Sequence, residues 1–415
     1  MAFPVSPSEP TAPAGLDGTW RTDPEALVAA ADDFGHVVHR PPRAALRPSS
    51  IDDVVAAYRD AASTGDPIVA RGAGHSTSGA GQVTGGITID MTGLDHVDTP
   101  ADDTVNVEAG ARWSAVLDAT LPAGLTPPTL TDYLETTVGG TLAVGGIGGG
   151  AHLYGPQVDN VVELEVITTD GERLICSPDQ HRDVFDAALA GDGRTIMVRA
   201  SLTLVPAPPT VRLYRLLYDD PHLFVRDQLA LNGDQRWCHL AGQALSLDGA
   251  TWHYMIEAAD ATADKPADIG ALGFERGSEE ITEITYRDLA HRMEPGVLEL
   301  ITTGDWYRAH PWFSAFIPTS RIHEFLAETM PTVRPADVGP LPILIYPLRR
   351  GRRPAPGLST PSEATFFNVS ILRTCSTPDA SALAVADNDR LLRVAEEHGG
   401  TWYPVGVLPA DIRST

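Results

Sequence analysis

Cysteine is scarce: Cys176, Cys238 and Cys375 are the only three in 415 residues, far apart and without a CxxC pair. Such spacing supports neither a disulfide framework nor a cysteine-type zinc site. Positive charge is also short. Lysine and arginine number 30 against 55 acidic residues, for a net charge of -25. That balance argues against nucleic acid or an anionic membrane as partner, because both demand a positive surface. It suits a neutral or cationic small molecule better. No stretch approaches the roughly 18 uninterrupted apolar residues of a membrane-spanning helix. The opening MAFPVSPSEPTAPAGLDG has no basic n-region and no apolar h-region. It therefore reads as a loose extension rather than a secretory signal, and a cytoplasmic location is expected. The hydrophobic fraction of 43% and charged fraction of 20% are ordinary for a soluble globular protein. The length allows two domains or one large α/β unit.

Residues 48–64 are predicted to form a helix. Ser49 and Ser50 offer caps with Asp52 and Asp53 three positions on, and Ile51, Val54, Val55 and Tyr58 share one face. A short strand, Ile68 to Ala70, runs into Arg71-Gly72-Ala73-Gly74-His75-Ser76. Strands are expected at Ile87 to Asp90 and Val105 to Glu108, and a helix from about Ser114. The segment 136–150, TTVGGTLAVGGIGGG, holds seven glycines in its last twelve residues. Such density predicts backbone closely approaching something, not packed helix or regular strand. A hairpin is expected to turn at Asp170-Gly171. The strand Val198 to Val205 ends at Pro206, and the proline-rich stretch to Pro209 reads as a domain boundary. Beyond it, strands at Trp252 to Glu257, Leu341 to Tyr346 and Thr365 to Leu372 mix with helices near 284–293, 320–329 and 380–398, the pattern of a second α+β domain. Arg349 to Arg353 form a basic cluster beside Pro354 and Pro356, read as a solvated loop.

A strand feeding a loop with two glycines exposes backbone N–H groups that can cradle a pyrophosphate. The segment 71–76 is no Rossmann fingerprint, because it lacks GxGxxG and continues as loop through Thr77 to Gly81. On this pattern alone, a tight turn with a solvent-facing histidine is the commoner reading. A second cluster, Thr131-Asp132-Tyr133-Leu134 before the glycine run and His152 to Asn160 after it, changes the weighting. TDYL…TVGGTL…GPQVxNVxELEVIT resembles the flavin domain of cytokinin dehydrogenases, within the wider vanillyl-alcohol-oxidase-like family of PCMH-type FAD-binding oxidoreductases. Arg71 to Ser76 is similar to that family's RGxGHS. Further on, His310-Pro311-Trp312-Phe313…Phe316-Ile317-Pro318 resembles HPW…FVP. Gly339-Pro340-Leu341…Tyr346-Pro347-Leu348 resembles GPL…YPL, and Pro361-Ser362-Glu363…Phe366-Phe367 resembles PSE…FY. The matches run in order over about residues 40–405.

The resemblance implies a two-domain α+β protein: a PCMH-type FAD-binding fold over 40–207 and a cytokinin-dehydrogenase-like substrate domain over 208–400. Residues 1–39 would be an extension and first helix, and 401–415 the start of a return to the FAD domain. It implies FAD as cofactor, joined through its 8α-methyl to His75. A neutral imidazole is nucleophilic enough for that bond. Relatives with two covalent links use a cysteine before the glycine run; none lies between 1 and 175 here, so the link would be single. Arg71, Gly72, Ala73, Gly74, Ser76, Thr137, Gly139, Gly140, Gly145, Gly146, Gly148 and Ile196 would line the cofactor, the glycines because side chains would collide with it. Asp132 matches the catalytic aspartate, able to take an amine proton as hydride leaves for flavin N5; an exposed turn-capping aspartate is the alternative. Glu257 falls at the substrate-binding glutamate, with a strand-end surface glutamate nearly as good a reading. Gly155 and Asn160 read as structural turns, His152 as a satisfied loop histidine, Trp312 as core. His36 and His39 lie three apart without a partner, so no metal site is expected.

Two departures stand out. The family's GGLGQFG is here Ala190-Gly191-Asp192-Gly193-Arg194-Thr195-Ile196, which puts different charges beside the cofactor. The family also continues past a W…HFG helix to a YDP…LxPGQ return, and one of its tyrosines falls on Gly406. The expectation is a pocket open on one side, closed by something else such as a partner subunit, or shortened. By resemblance the substrate is an N6-isoprenoid adenine, oxidised through an imine. Another amine or alcohol on the same scaffold, or flavin binding without turnover, are the alternatives. Oxygen or a quinone would take the electrons, and a homo-oligomer stays open.

Overall fold

A computed structural model describes residues 11–189, 191, 193–262, 265–351 and 358–413. The first ten residues of the opening extension, Asp192, and Arg352 and Arg353 of the basic cluster lie outside the described residues. The chain alternates helices and strands throughout, and its larger strands gather into three sheets among the described residues.

The first sheet runs Thr19–Arg21, Ala44–Arg47, Ile87–Asp90, Ile68–Arg71, parallel except at its Thr19–Arg21 edge. The helix Ile51–Thr64 packs against this half of the chain. Ser50 caps it, Asp53 closes the reciprocal capping box, and Gly65 ends it at φ +77°. Its apolar face, Ile51, Val54, Val55 and Tyr58, is buried as the spacing predicts. The buried Asp53 also accepts from the Asp17 N–H at 2.8 Å. The end of the opening segment is therefore anchored rather than loose, and Leu16 packs on the core.

The second sheet, Thr104–Glu108, Thr195–Thr203, Val161–Thr168, Arg173–Cys176, is antiparallel. Its last hairpin turns at Asp170-Gly171, where Gly171 takes φ +78°. The strand expected to run to Val205 stops at Thr203, and Val205–Pro206 pairs instead with Leu125–Thr126. The glycine run also departs from expectation. Val138–Leu142 forms a short helix, because Gly139 can approach Ala109 so closely that a Cβ there would lie 2.9 Å from the alanine Cβ.

The third sheet has eight antiparallel strands in the order Glu280–Thr285, Thr210–Tyr218, His253–Asp260, Trp237–Leu245, Ile343–Arg349, Thr365–Ile371, Phe313–Pro318, Thr401–Trp402. The first, second, fourth, seventh and eighth of these are absent from the sequence-based expectation, as are the helices Pro221–Leu231 and Glu294–Thr303. Both faces of this sheet are covered. Phe313, Ala315, Ile317, Ile345 and Phe367 pack under the helices of the second half. Phe316, Tyr346, Leu348 and Phe366 join the core of the first half. Phe313–Pro318 is accordingly buried at every position. No described helix is long and apolar enough to cross a membrane.

Phe316→Ala should therefore cost about 3–5 kcal/mol and leave one unfolding transition in urea, since the core it fills spans both halves. A loss under about 1 kcal/mol, or two separated transitions, would show that the shared core does not couple them.

Candidate active site

The loop that leaves Ile68–Arg71 is shaped by close contacts. A Cβ on Gly72 would lie 2.1 Å from Thr137 Oγ1, and one on Gly74, at φ +70°, would lie 2.3 Å from the Arg71 guanidinium. The buried Asp33 carboxylate latches the loop, accepting from the N–H groups of Gly35 at 3.0 Å and Gly79 at 2.8 Å. Burial pushes its pKa up to about 6. Ser76 Oγ accepts from Ser78 and Ala80 N–H within the same turn. Gly74 and Ser76 give their carbonyls to Phe34 and Gly35. The N–H groups of Gly74, His75 and Ser76 donate to no acceptor among the described residues, and neither does the buried Nη1 of Arg71. A cationic nitrogen without a partner, beside free backbone N–H groups, makes a cradle for an anion such as a pyrophosphate.

His75 sits at the mouth of this cradle within aromatic rings. Phe34 lies 4.2 Å away between centroids, Tyr133 4.8 Å, and Trp306 and Trp312 5.9 Å each. Burial, helped by the neighbouring His310, drives its pKa down to about 3, so the imidazole is neutral at any physiological pH.

Tyr133 belongs to a turn tied by hydroxyls: Thr131 and Thr136 both donate to the Tyr133 carbonyl, at 3.1 and 3.0 Å. The same turn presents Asp132, 26% exposed, to Arg292. Arg292 follows the helix Tyr286–Ala290, whose start is fixed by a Thr285–Asp288 capping box. Its guanidinium reaches Asp132 through Nη2 and donates from Nε to Glu257 at 2.7 Å. Glu257 lies inside the strand His253–Asp260, across from Arg215, which donates to it at 3.0 Å. It is 12% exposed, so the alternative of a surface strand-end glutamate is overturned. Burial alone would raise the Glu257 carboxyl. The nearby His239 ring and the Arg292 and Arg215 charges outweigh burial and hold the carboxyl well below its usual range. His239 Nε2 lies 3.3 Å from Glu257 but too far out of line for a hydrogen bond, leaving a buried nitrogen free. Burial, and then Arg292, lower the His239 pKa.

The comparisons with known proteins fit this geometry. The family model for an FAD binding domain matches residues 42–177. The model described as "Cytokinin dehydrogenase 1, FAD and cytokinin binding" matches residues 245–402. An uncharacterized oxidoreductase, ORF5 in the fasciation locus of Rhodococcoides fascians, is 36% identical over 402 residues, covering 95% of this chain and 91% of that protein. Cytokinin dehydrogenase 5 of Oryza sativa subsp. japonica is 33% identical, with 96% and 86% covered. Cytokinin dehydrogenase 3 of Arabidopsis thaliana is 30% identical, with 92% and 81% covered. The chain belongs to the cytokinin dehydrogenase family. It is a FAD-dependent oxidoreductase of that type, α+β in class, with a PCMH-type FAD-binding domain and a cytokinin-binding domain.

Within this cytokinin dehydrogenase-type chain, the residues expected at the site divide. Arg71, Gly72, Ala73, Gly74, His75, Ser76 and Thr137 gather around the cradle, and Asp132 and Glu257 meet through Arg292. The glycine run has a second cause besides the cofactor. A Cβ on Gly148 would lie 1.9 Å from the Leu130 carbonyl oxygen, one on Gly149 1.9 Å from His239 Nδ1, and one on Gly146 2.0 Å from Gln157. A Cβ on Gly145 would lie 2.8 Å from the Leu358 side chain. Protein atoms themselves thus require these glycines. Gly140 is exposed, and Ile196 lies in the hydrophobic core. His152 is buried in the short helix Ala151–Tyr154. Its Nε2 donates to the Trp237 carbonyl at 2.8 Å, Nδ1 accepts from Gly233, and burial lowers its pKa to about 4. His36 and His39, expected to lack a partner, share Asp32 at 2.7 and 3.3 Å. No cluster of three such ligands exists among the described residues. Gly406 is hemmed in by the Trp312 carbonyl and the Trp402 ring, so no tyrosine fits there unaltered. Nearby, Val405 accepts from the Thr77 hydroxyl at 2.8 Å and Asp411 from Arg40 at 2.6 Å, so this end of the chain closes over the loop of His75. Arg292, His239 and Arg215 escape sequence reasoning, because nothing local marks an arginine after a helix as the partner of a carboxylate 160 residues away.

Gly148→Ala should lose about 1–3 kcal/mol in chemical unfolding, against no more than about 0.5 kcal/mol for exposed Gly140→Ala. Equal losses would refute the packing explanation.

Proposed function

We propose that this protein dehydrogenates a small secondary amine of the cytokinin type, an N6-substituted adenine, with His75 carrying the FAD covalently. One observation carries the reading: a single turn, Thr131–Thr136, sets Tyr133 against His75 and Asp132 against the Arg292–Glu257 pair. The turn thus links the surroundings of the tether to the proton acceptor. The unpartnered Arg71 nitrogen and the free N–H groups of the 72–76 loop suit the FAD pyrophosphate. Bound FAD supplies the two-electron acceptor for the hydride that leaves the carbon beside the amine. The chain's own share is to bind, orient and deprotonate. Asp132, the more exposed of the two carboxylates, accepts the amine N–H proton, which leaves the substrate as an imine. Glu257, deeper and held ionised, accepts a hydrogen bond from a second N–H of the substrate. The neutral imidazole of His75 keeps a lone pair available for the covalent bond. The names of the Oryza and Arabidopsis relatives support the adenine-type substrate.

Acid precipitation should leave the yellow colour in the pellet; colour released to the supernatant rules out the covalent bond, and His75→Ala should hold FAD only reversibly. Isopentenyl-adenine should bleach the flavin under anaerobic conditions. No bleaching, with reduction by another amine or an alcohol, would sink the substrate assignment. Asp132→Ala should slow that reduction by about 100- to 10,000-fold, and an unchanged rate would remove Asp132 from the mechanism.

A further inference from the structure

Arg292 engages all three guanidinium nitrogens. Nη2 meets Asp132, Nε meets Glu257 and Nη1 donates to the Leu289 carbonyl at 3.4 Å. The side chain is 11% exposed, so the fork is held between the segment carrying Asp132 and the sheet carrying Glu257. Two carboxylates brought this close would repel, and without a cation one of them would hold a proton. A protonated Asp132 cannot accept a second one. The two partners also differ in what else they have. Glu257 keeps Arg215 on its other side, whereas Arg292 is the one cation paired with Asp132 among the described residues.

We propose that Arg292 is a positioning residue whose guanidinium offsets the repulsion between Asp132 and Glu257, and so sets the lower pH limit of amine oxidation. This rests on Asp132 being the proton acceptor. The groups facing Asp132 are Arg292 from the segment after Tyr286–Ala290, Glu257 from His253–Asp260, His239 from Trp237–Leu245, and the Tyr346 hydroxyl from Ile343–Arg349. Among them Arg292 carries the permanent positive charge. Tyr346 is pushed well above its ordinary pKa by burial, and then by the Asp132 charge, so it stays neutral. Burial, and then Arg292, lower the His239 pKa and so disfavour a positive charge there. Neither replaces the guanidinium. Three of the five Arg292 N–H groups are engaged, two of them by the carboxylates, so its loss acts first on Asp132 and Glu257, and a lost substrate contact would show instead as weaker binding.

The test is the pH profile of single-turnover flavin reduction in the FAD-loaded protein, for wild type, Arg292→Gln and Arg292→Lys. In Arg292→Gln the acid limb should move up by about 1–3 pH units, with the rate recovering at high pH and the apparent substrate affinity changed much less than the limiting reduction rate. Arg292→Lys keeps the charge and should keep the wild-type limb. A uniform loss at every pH, or an unmoved limb in Arg292→Gln, would overturn the proposal. A second measurement needs no substrate. The melting-temperature deficit of Arg292→Gln should be larger at pH 8, where both carboxylates are charged, than at pH 5, and adding Asp132→Asn should shrink it. A deficit equal at both pH values overturns the clamp whatever the substrate. If isopentenyl-adenine fails to reduce the wild-type flavin, the substrate assignment falls while the melting comparison still decides the role of Arg292. Should Arg292→Gln not fold, Arg292→Lys carries both measurements: a shifted acid limb in that variant refutes the charge role.

Discussion

The eight-stranded sheet has to be covered on both faces, and most of the architecture follows from how that is done. Helices of the second half shield one face. The other is closed by the first half, with Phe316, Tyr346, Leu348 and Phe366 entering its core. A sheet with two apolar faces cannot be left half in water, because each large side chain stripped of its cover forfeits about 1.5–3 kcal/mol. The two halves are therefore pressed together along Phe313–Pro318 and its neighbours. This contact brings the inner strands His253–Asp260 and Trp237–Leu245 up to the turn that holds Asp132.

Ionic groups caught in that closure must be compensated, since an unpaired buried charge costs far more than a paired one. Two carboxylates and two guanidinium groups meet there, Asp132 and Glu257 with Arg292 and Arg215. Their charges cancel without using up Asp132, which retains more exposure than Arg292 or Glu257. The other end of the site is the reverse case. His75 is surrounded by aromatic rings, and its neutrality follows from desolvation. Arg71 is left with an unmatched nitrogen where the loop offers free N–H groups. A region balanced in charge thus lies next to one that can take an anion, an arrangement that suits a phosphate-bearing cofactor.

Local elements were readable wherever a local cause acts. The helix Ile51–Thr64 is specified by Ser50, Asp53 and a 3.6-residue apolar repeat, all within one segment. The turn at Gly171 follows from the freedom of glycine at positive φ. The strand Thr210–Tyr218 was not readable, because the faces that bury it belong to strands far along the chain. The short helix at Val138–Leu142 was hidden by glycines that serve close approach to Ala109. At the site, Arg71 to Ser76 and Asp132 stood out as motifs, whereas Glu257 remained an even choice between pocket and surface.

By itself, the sequence carried the family resemblance, a loop that could cradle an anion, and a histidine and an aspartate as candidates for the chemistry. The loop follows from residue type and near-neighbour spacing, and the other two from motifs that match the family in order along the chain. Tertiary structure alone decided that Glu257 is interior, that Arg292 joins it to Asp132, and that glycines 146, 148 and 149 yield to neighbouring protein atoms. The reason is the range of the forces involved. Capping and periodicity act over a few residues, but a salt bridge or a backbone contact acts over a few ångströms in space, and only the packed chain says which residues those ångströms separate.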